Sequence, residues 1–310
     1  MADQLSPSVL AICLNPAIDV TYRVALLEPG TSHRVQPVGR RAGGKATNVV
    51  RVAQRLGCPT VLVAPVGGPT GDEFGDDLAA EGVTTDLVPV AGTTRTSVTV
   101  FDEADATVFN EPGPTLDDHE WQRLLDAVGA LAKAGDVLVV SGSMPPGTPP
   151  TASGQLVDLA HSLGCRIVLD VSGDQLSAAL PHHPDLVAPN AHEAAETLGL
   201  SADPATLADE LRHRGALAAV VSNGKEGLVA STPDGRWHAY LPEALTGNPT
   251  GAGDALTAAL ALGLVRGRSW VDLLRDAVAL SAAAVVAHVA GDFDAPTRDR
   301  LHPFVLVEQA

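Results

Sequence analysis

The chain has 310 residues, of which 45% are hydrophobic and only 3% aromatic, and it carries a formal net charge of −17. This length suffices for one large α/β domain or two smaller ones, with a core built mainly from Ala, Val and Leu. The acidic charge and the few aromatic residues argue against nucleic acid as a partner, because nucleic acid needs a basic face or a base-stacking surface. An anionic ligand could still bind wherever positive charge is concentrated locally.

No charged-then-apolar leader opens the chain and no long apolar span follows, so we expect a cytoplasmic protein without membrane contact. The three cysteines, Cys13, Cys58 and Cys165, are far apart, flank apolar runs and show no CxxC spacing. They are expected to be buried free thiols.

Two stretches alternate polar with apolar residues and lack a helical period: residues 19–41, DVTYRVALLEPGTSHRVQPVGRR, and residues 91–110, AGTTRTSVTVFDEADATVFN. The second stretch predicts a hairpin that turns around Asp102–Ala106. Together they predict a small antiparallel β-sheet set apart from the main sheet, which could serve as a lid.

The first glycine-rich segment is GRRAGGKATN, residues 39–48. Gly39, Gly44 and Lys45 fit the spacing of a P-loop, in which the lysine is followed at once by a Ser or Thr whose hydroxyl binds magnesium. Ala46 stands at that position, and its methyl group cannot ligate a metal. The chain has only three lysines, so Lys45 behind two glycines indicates an anion-binding role outside a P-loop.

Short β-rich runs that end in small polar residues dominate the second half of the chain: VLVVSGS (137–143), RIVLDVSG (166–173), DLVAPN (185–190) and AAVVSNG (218–224). Helix-like segments separate them, and this alternation predicts βαβ units and a mostly parallel sheet. Ligands of such sheets gather beyond the carboxyl ends of the strands, where these polar residues fall.

The strongest chemical signal is NPTGAGDALTAALALGLV, residues 248–265. Gly251, Ala252 and Gly253 stand where a long helix is predicted to begin, so free backbone N–H groups can form a nest for an anion. Asp254 follows in the first turn, beside any bound anion, where it could serve as a general base. An aspartate that only caps the helix is the structural alternative. A Rossmann glycine pattern is excluded, because Leu256 occupies the third glycine position.

Two segments, AGGKATNVVRVAQRLG (42–57) and NPTGAGDALTAAL (248–260), resemble the signatures of the ribokinase-like, PfkB-type carbohydrate kinases. The likeness covers nearly the whole chain, because LNPAIDVTY near the start, EPGP (111–114), VVSGSMPPG (139–147), PNAHE (189–193) and VVSNGKEG (220–227) follow in family order. The resemblance implies a three-layer α/β fold with a mostly parallel central sheet flanked by helices. It also implies one kinase domain over residues 1–310, with antiparallel lid segments near 19–41 and 91–110.

The same resemblance implies roles for individual residues. Asp254 would be the catalytic base, and Gly251, Ala252 and Gly253 would form the anion hole for the γ-phosphate of ATP. The sugar would be held by four residues near the start of the chain: Asp19, Gly43, Gly44 and Asn48. Asn48 could otherwise cap the helix that follows it.

Three residues would bind the phosphate that the sugar already carries: Lys45, Arg95 and Ser143. A solvent-exposed lysine and an ordinary strand arginine are the structural alternatives for the two cations. On the nucleotide side, Asn190 and Glu193 would orient water around Mg²⁺, although the same pair also fits a capping box. The nucleotide-binding turn would include Ser222, Gly224 and Gly227.

Two departures from the family pattern bear on the substrate. Ala188 replaces a lysine found before the PN dipeptide in some relatives, which removes one nucleotide contact. Minor 6-phosphofructokinases carry a lysine in the first lid segment, where Thr31 stands here, and glycines in place of Lys45 and Ala46. These differences favour a 1-phosphofructokinase or a tagatose-6-phosphate kinase without separating the two. We take 1-phosphofructokinase as the expected activity, with tagatose-6-phosphate kinase, 6-phosphofructokinase and a non-catalytic sugar-phosphate sensor as alternatives. A homodimer through the lid is also expected, because an open antiparallel sheet leaves a face and edges unpaired.

Overall fold

The computed structural model describes residues 8–103, 106–243, 245, 247–287 and 289–310. These residues contain fourteen strands, numbered in chain order: β1 (Val9–Ile12), β2 (Ala17–Arg23), β3 (Gln36–Gly43), β4 (Thr60–Val66), β5 (Thr85–Pro89), β6 (Arg95–Phe101), β7 (Ala106–Asn110), β8 (Val137–Ser141), β9 (Arg166–Asp170), β10 (Leu186–Val187), β11 (Ala219–Ser222), β12 (Leu228–Thr232), β13 (Gly235–Tyr240) and β14 (Leu306–Gln309). The α-helices are α1 (Lys45–Arg55), α2 (Gly68–Ala80), α3 (Asp118–Leu131), α4 (Ala152–Ser162), α5 (Gly173–Ala179), α6 (Ala191–Leu198), α7 (Pro204–His213), α8 (Ala252–Val265), α9 (Trp270–Val285) and α10 (Ala295–Leu301).

The main sheet has ten strands in the order β14-β13-β12-β11-β10-β9-β8-β1-β4-β5. The pairings from β11 across to β5 are all parallel, whereas those from β11 to β14 are antiparallel. Central strands such as β1 (VLAI) and β8 (VLVVS) are buried at every position, as expected for parallel strands covered on both faces. The predicted α/β fold with a mostly parallel sheet is confirmed.

Helices cover both faces of the main sheet and create two apolar cores. Along β1, Val9 and Ala11 face one core together with buried residues of α1, α2, α8 and α9. Leu10 and Ile12 face the other core, which α3, α4, α5, α6 and α7 cover. Side chains alternate between the two faces of a strand, so one short apolar run contributes to both cores. The result is the three-layer arrangement of helices, sheet and helices.

The second sheet has four strands in the order β3-β2-β6-β7 and comes from the two alternating stretches of the sequence. Its outer pairings are antiparallel, and its central pairing, β2 with β6, is parallel. Both β2 and β6 leave the carboxyl edge of the main sheet, since they follow β1 and β5, and they therefore run in the same direction. The turn predicted between β6 and β7 includes residues 104–105, which lie outside the described residues.

The three cysteines are free and buried, as predicted. Within the part of the chain that the structure describes, no helix combines the length and the apolar character needed to cross a membrane.

Candidate active site

A cleft of about 990 Å³ separates the carboxyl edge of the main sheet from the small sheet. Its walls come from the segment after β1, from the inner surface of β2 and β6, from the start of α1 and from the start of α8. The wall includes eight of the residues predicted from the sequence: Asp19, Gly44, Lys45, Asn48, Arg95, Ser143, Gly251 and Asp254. Distant parts of the sequence therefore meet in one site at the strand ends, where an α/β fold binds ligands.

Asp254 lies in the first turn of α8 and is only 6% exposed. The Asn48 side chain donates a hydrogen bond from Nδ2 to Asp254 Oδ2 over 2.7 Å. Burial, followed by repulsion from Asp170, raises the pKa of the Asp254 carboxyl to about 7, while the hydrogen bond from Asn48 opposes the rise. Such a carboxylate can accept a proton near neutral pH. The alternative that Asn48 caps α1 is wrong, because Gly44 occupies the N-cap and Asn48 lies one turn further on.

The glycine turn before Asp254 has the geometry that an anion site needs. Gly251 is the N-cap of α8 and has a φ of 88°, in the left-handed region. A Cβ there would approach the Ala290 Cα to 2.9 Å, so both conformation and space require glycine. The Ala252 amide donates to the Pro249 carbonyl. The amides of Gly253 and Asp254 have no acceptor within the described residues and are available to a ligand.

Asp19 lines the cleft, and its side chain reaches across from β2 to Gly43 of β3, two positions along from its own register partner, Arg41. A Cβ on Gly43 would lie 2.0 Å from Asp19 Oδ2, so a glycine leaves the room that this carboxylate occupies. Burial raises the pKa of Asp19, while the nearby guanidinium groups of Arg95, Arg51 and Arg41 oppose the rise. The carboxylate can therefore act as a hydrogen-bond acceptor for hydroxyl groups in the cleft.

Lys45 is the first residue of α1, and 43% of its side chain is exposed. Its Nζ lies 3.5 Å from Asp170 Oδ1 and 3.7 Å from Glu193 Oε1. The attraction of Asp170 is the main reason why the pKa of Lys45 is raised, so the ammonium group stays charged. Asp170 ends β9, is buried and accepts a 2.7 Å hydrogen bond from Ser141 Oγ. Asp170 was not predicted from the sequence, although its position at the end of a buried strand was a signal for it.

Arg95, the first residue of β6, also lines the cleft. Its Nε donates to the carbonyl oxygen of Asn15 over 3.2 Å, and its Nη1 donates to the carbonyl oxygen of Glu111 over 3.3 Å. Ser143 lies near Arg95, because both contact Asn15: Ser143 Oγ accepts a 3.2 Å hydrogen bond from Asn15 Nδ2. Asn15 was also not predicted from the sequence, although it belongs to the segment LNPAIDVTY that carried part of the resemblance.

The predicted nucleotide-side residues lie along the same edge of the main sheet but do not line the cleft. Asn190 and Glu193 form the predicted capping box: Glu193 N donates to Asn190 Oδ1, and Asn190 N donates to Glu193 Oε2. Ser222 ends β11 and pairs with Asn190. Gly224 opens a short 3₁₀ turn that Gly227 closes. A Cβ on Gly227 would lie 2.2 Å from the Ala239 carbonyl oxygen. The packing of the sheet therefore requires a glycine here whether or not a nucleotide binds.

The described residues contain no group of three or more His, Cys, Asp or Glu side chains that could hold a metal ion. Mg²⁺ does not require such a group, because it usually keeps several waters and binds one or two carboxylates together with phosphate oxygens. Glu193 offers one carboxylate of this kind: its Oε2 accepts the capping hydrogen bond, and its Oε1 lies 3.7 Å from Lys45 Nζ, so Mg²⁺ at this oxygen would replace or share that ion pair.

Solved structures that resemble this chain include phosphofructokinase-2 from Escherichia coli. Its complex with potassium is 28% identical in sequence, with a TM-score of 0.91 over 96% of this chain and 99% of that chain. Its complex with fructose-6-phosphate has the same identity and coverage and a TM-score of 0.87. A protein from Thermotoga maritima described as a possible 1-phosphofructokinase is 25% identical, with a TM-score of 0.86 over 98% of this chain and 99% of that chain.

The family model described as "pfkB family carbohydrate kinase" matches residues 7–298, which includes the glycine turn, Asp254 and every other residue of the cleft described above. Kinases of this family use ATP as the phosphoryl donor. The chain belongs to the pfkB family of carbohydrate kinases.

Proposed function

We propose that the protein phosphorylates fructose 1-phosphate with ATP and Mg²⁺, giving fructose 1,6-bisphosphate and ADP. The observation that carries this proposal is the position of Asp254, which is buried, hydrogen-bonded to Asn48 and next to the open amides of α8, in a cleft that also holds Arg95 and Lys45. A base beside an anion site suits phosphoryl transfer, and the cations suit an acceptor that is itself an anion.

In the proposed reaction, Asp254 takes the proton of the sugar's 6-hydroxyl group while that oxygen attacks the γ-phosphorus. The bond between the γ-phosphorus and the oxygen that bridges it to the β-phosphorus breaks, and ADP leaves with that oxygen. The amides at the start of α8 offer hydrogen bonds to the transferring phosphoryl group. Asp19 accepts hydrogen bonds from other sugar hydroxyls, which orients the reacting hydroxyl toward Asp254.

Glu193 and Asn190 would hold Mg²⁺ through water, with Glu193 Oε1 as the carboxylate oxygen outside the capping box. The ion would neutralise charge on the phosphates of ATP. Ser222, Gly224 and Gly227 would form the nucleotide-binding turn beside Asn190, in line with the pairing of Ser222 and Asn190.

Arg95 and Ser143 would bind the phosphate of the acceptor. Lys45 would be the third residue of this phosphate site. Its ammonium group lies beside Asp170 and Glu193, on the side of the site where the phosphoryl group is transferred. The small sheet would close as a lid over the acceptor, because residues of β2, β3 and β6 line the cleft. We treat residues 1–310 as one kinase domain that includes this lid.

The choice of fructose 1-phosphate as the acceptor rests on the sequence. Thr31 and Lys45 both differ from the residues that the minor 6-phosphofructokinases carry at these positions. A coupled assay that measures ADP formation tests this choice with fructose 1-phosphate, fructose 6-phosphate, tagatose 6-phosphate and the parent sugars. The proposal expects the highest kcat/KM for fructose 1-phosphate and little turnover of unphosphorylated sugars. Preference for another phosphate would identify a 6-phosphofructokinase or a tagatose-6-phosphate kinase. Sugar-phosphate binding without ADP formation would identify a sensor.

We also propose a homodimer through the small sheet. Its outer strands expose large apolar side chains: Val38 and Val108 line the cleft, and Phe109, which follows Val108 in β7, points to the opposite face. An exposed aromatic ring on an open sheet with unpaired edges favours a partner. Light scattering after size exclusion should give twice the chain mass, and Phe109→Asp should give a monomer. Phe304→Asp is the matched control, because this similarly exposed ring lies outside the small sheet. A Phe109→Asp variant with unchanged mass would exclude this interface.

A further inference from the structure

Asn15 is a buried polar residue of the cleft that has no part in the reaction above and was not predicted from the sequence. It lies between β1 and β2, is only 6% exposed and contributes to the cleft wall. Its Oδ1 has no hydrogen-bond partner within the described residues, and a buried acceptor of this kind calls for an explanation. The unpartnered oxygen therefore indicates a role for this side chain at the cleft.

The Asn15 amide connects two loops that face the cleft. Its Nδ2 donates to the Pro112 carbonyl oxygen over 3.0 Å and to Ser143 Oγ over 3.2 Å. The orientation of the amide follows from these partners, since a carbonyl oxygen can pair only with the NH₂ group. The side chain thus fixes the segment EPGP relative to the segment SGSMPPG.

The main chain of the same residue holds Arg95, because the Asn15 carbonyl oxygen accepts the hydrogen bond from Arg95 Nε. Arg95 Nη1 is also engaged, by Asn110 Oδ1 and the Glu111 carbonyl oxygen. No acceptor among the described residues contacts Nη2, so this side of the guanidinium group remains available to an anion. Asn15 thereby contacts both residues assigned above to the phosphate of the acceptor.

Gly113 supports the same arrangement. Its φ is 87°, and a Cβ on it would lie 2.1 Å from Asn15 Oδ1 and 3.3 Å from the Arg95 side chain. A glycine at this position lets the loop close over the Asn15 amide. Asn15, Gly113, Arg95 and Ser143 therefore pack as one unit at the phosphate end of the cleft.

We propose that Asn15 is a positioning residue that sets the specificity of the cleft for a phosphorylated acceptor. Its side chain contacts Ser143 directly and reaches Arg95 through the Pro112 loop, because the neighbouring Glu111 carbonyl accepts a hydrogen bond from Arg95 Nη1. Arg95 and Ser143 are thereby held in the geometry that binds the phosphate of the sugar. This inference rests on the proposed function, since it assigns a role at the acceptor site of that reaction. It concerns recognition of the phosphate and leaves the chemistry at Asp254 unchanged.

The test begins with wild-type enzyme and the sugar phosphates named above, followed by Asn15→Ala and by Asn15→Leu, which is uncharged and similar to asparagine in size. Both substitutions remove the Nδ2 donor, and the leucine fills the space should the alanine variant fail to fold. The substitutions remove the hydrogen bonds to the Pro112 carbonyl and to Ser143 Oγ but retain the main-chain carbonyl that Arg95 contacts. If the phosphate contacts depend on this positioning, the KM for the phosphosugar should rise about 10-fold. The KM for ATP is expected to stay within about twofold. Ser153→Ala is the matched control, because it removes a buried hydrogen bond to Gln175 remote from the cleft.

A mutant cycle separates positioning from general destabilisation. If the Asn15 side chain acts through Arg95 and Ser143, adding Asn15→Ala to an enzyme that carries both Arg95→Ala and Ser143→Ala should raise the KM for the phosphosugar little further. A full additional effect of Asn15→Ala in that background, or equal changes in the two KM values, would overturn the inference while leaving the proposed function intact. A wild-type enzyme without activity on any sugar phosphate would overturn both.

Discussion

Replacing Asp254 by Asn tests two claims in one variant: that Asp254 is the general base, and that burial raises the pKa of its carboxyl. The amide has the shape of the carboxylate, and its oxygen can still accept the hydrogen bond from Asn48. It cannot take up the proton of a sugar hydroxyl. Removal of a general base lowers kcat by about 10²- to 10⁴-fold, while the KM for ATP should change little because the amides of α8 remain.

The same substitution should stabilise the protein at alkaline pH. The pKa of Asp254 is about 7 in the folded protein, against an ordinary value of 3.8, so the folded state keeps a proton that the unfolded state releases between these values. Stability therefore falls as pH rises through this window, and above pH 7 the charged, buried carboxylate costs about 4 kcal/mol at most. The neutral Asn variant lacks this cost.

Two measurements check these consequences. Initial rates between pH 6 and 8 should show kcat/KM of the wild-type enzyme rising about tenfold as Asp254 loses its proton. A sugar phosphate itself titrates near pH 6, so urea unfolding of wild type and Asp254→Asn without substrate supplies an independent reading. The stability advantage of the variant should be near zero at pH 4 and largest at pH 8. Activity of Asp254→Asn near that of wild type would refute the role of Asp254 as general base. A stability difference between the two proteins that does not change with pH would refute the raised pKa.

Two further substitutions test the acceptor side. Lys45→Ala should raise the KM for the phosphosugar far more than the KM for ATP, and equal effects would assign Lys45 to the nucleotide. It should also move the acid limb of the pH–rate profile to higher pH, because the positive charge of Lys45 lowers the pKa of Asp254. Gly43→Ala should abolish sugar binding, measured by calorimetry, because its methyl group would meet the Asp19 carboxylate. Circular dichroism like that of wild type is the control for folding, and normal binding would contradict the close approach of Gly43 to Asp19.

The fold was predictable because its signals are local. Runs such as VLVVSGS are apolar throughout and end in small polar residues, which is what a parallel strand buried on both faces requires. The capping box of Asn190 and Glu193 was likewise readable, since it depends on residue types three positions apart. The parallel pairing of β2 with β6 was not predictable in this way, because it depends on which edge of the main sheet each strand leaves.

The site was predictable where a motif places its residues close together in sequence. The turn at Gly251 and the aspartate after it are of this kind. Contacts between motifs were not predictable, because they arise only from packing. Asn48 and Asp254 lie 206 residues apart in sequence and share a hydrogen bond of 2.7 Å. Asp170 was missed for the same reason: its importance comes from Lys45 and Asp254, neither of which is its neighbour in the chain.

The charge of the cleft explains how an acidic protein can bind two anions. The chain carries a net charge of −17, yet its cleft wall includes Arg23, Arg41, Lys45 and Arg95. The two carboxylates nearest the reacting end, Asp254 and Asp170, are buried, and burial raises the pKa of both. Lys45 pairs with Asp170 over 3.5 Å and thereby offsets negative charge where phosphates must approach. A binding site for anions does not need a basic protein, because local burial and a few well-placed cations determine the potential that the ligand meets.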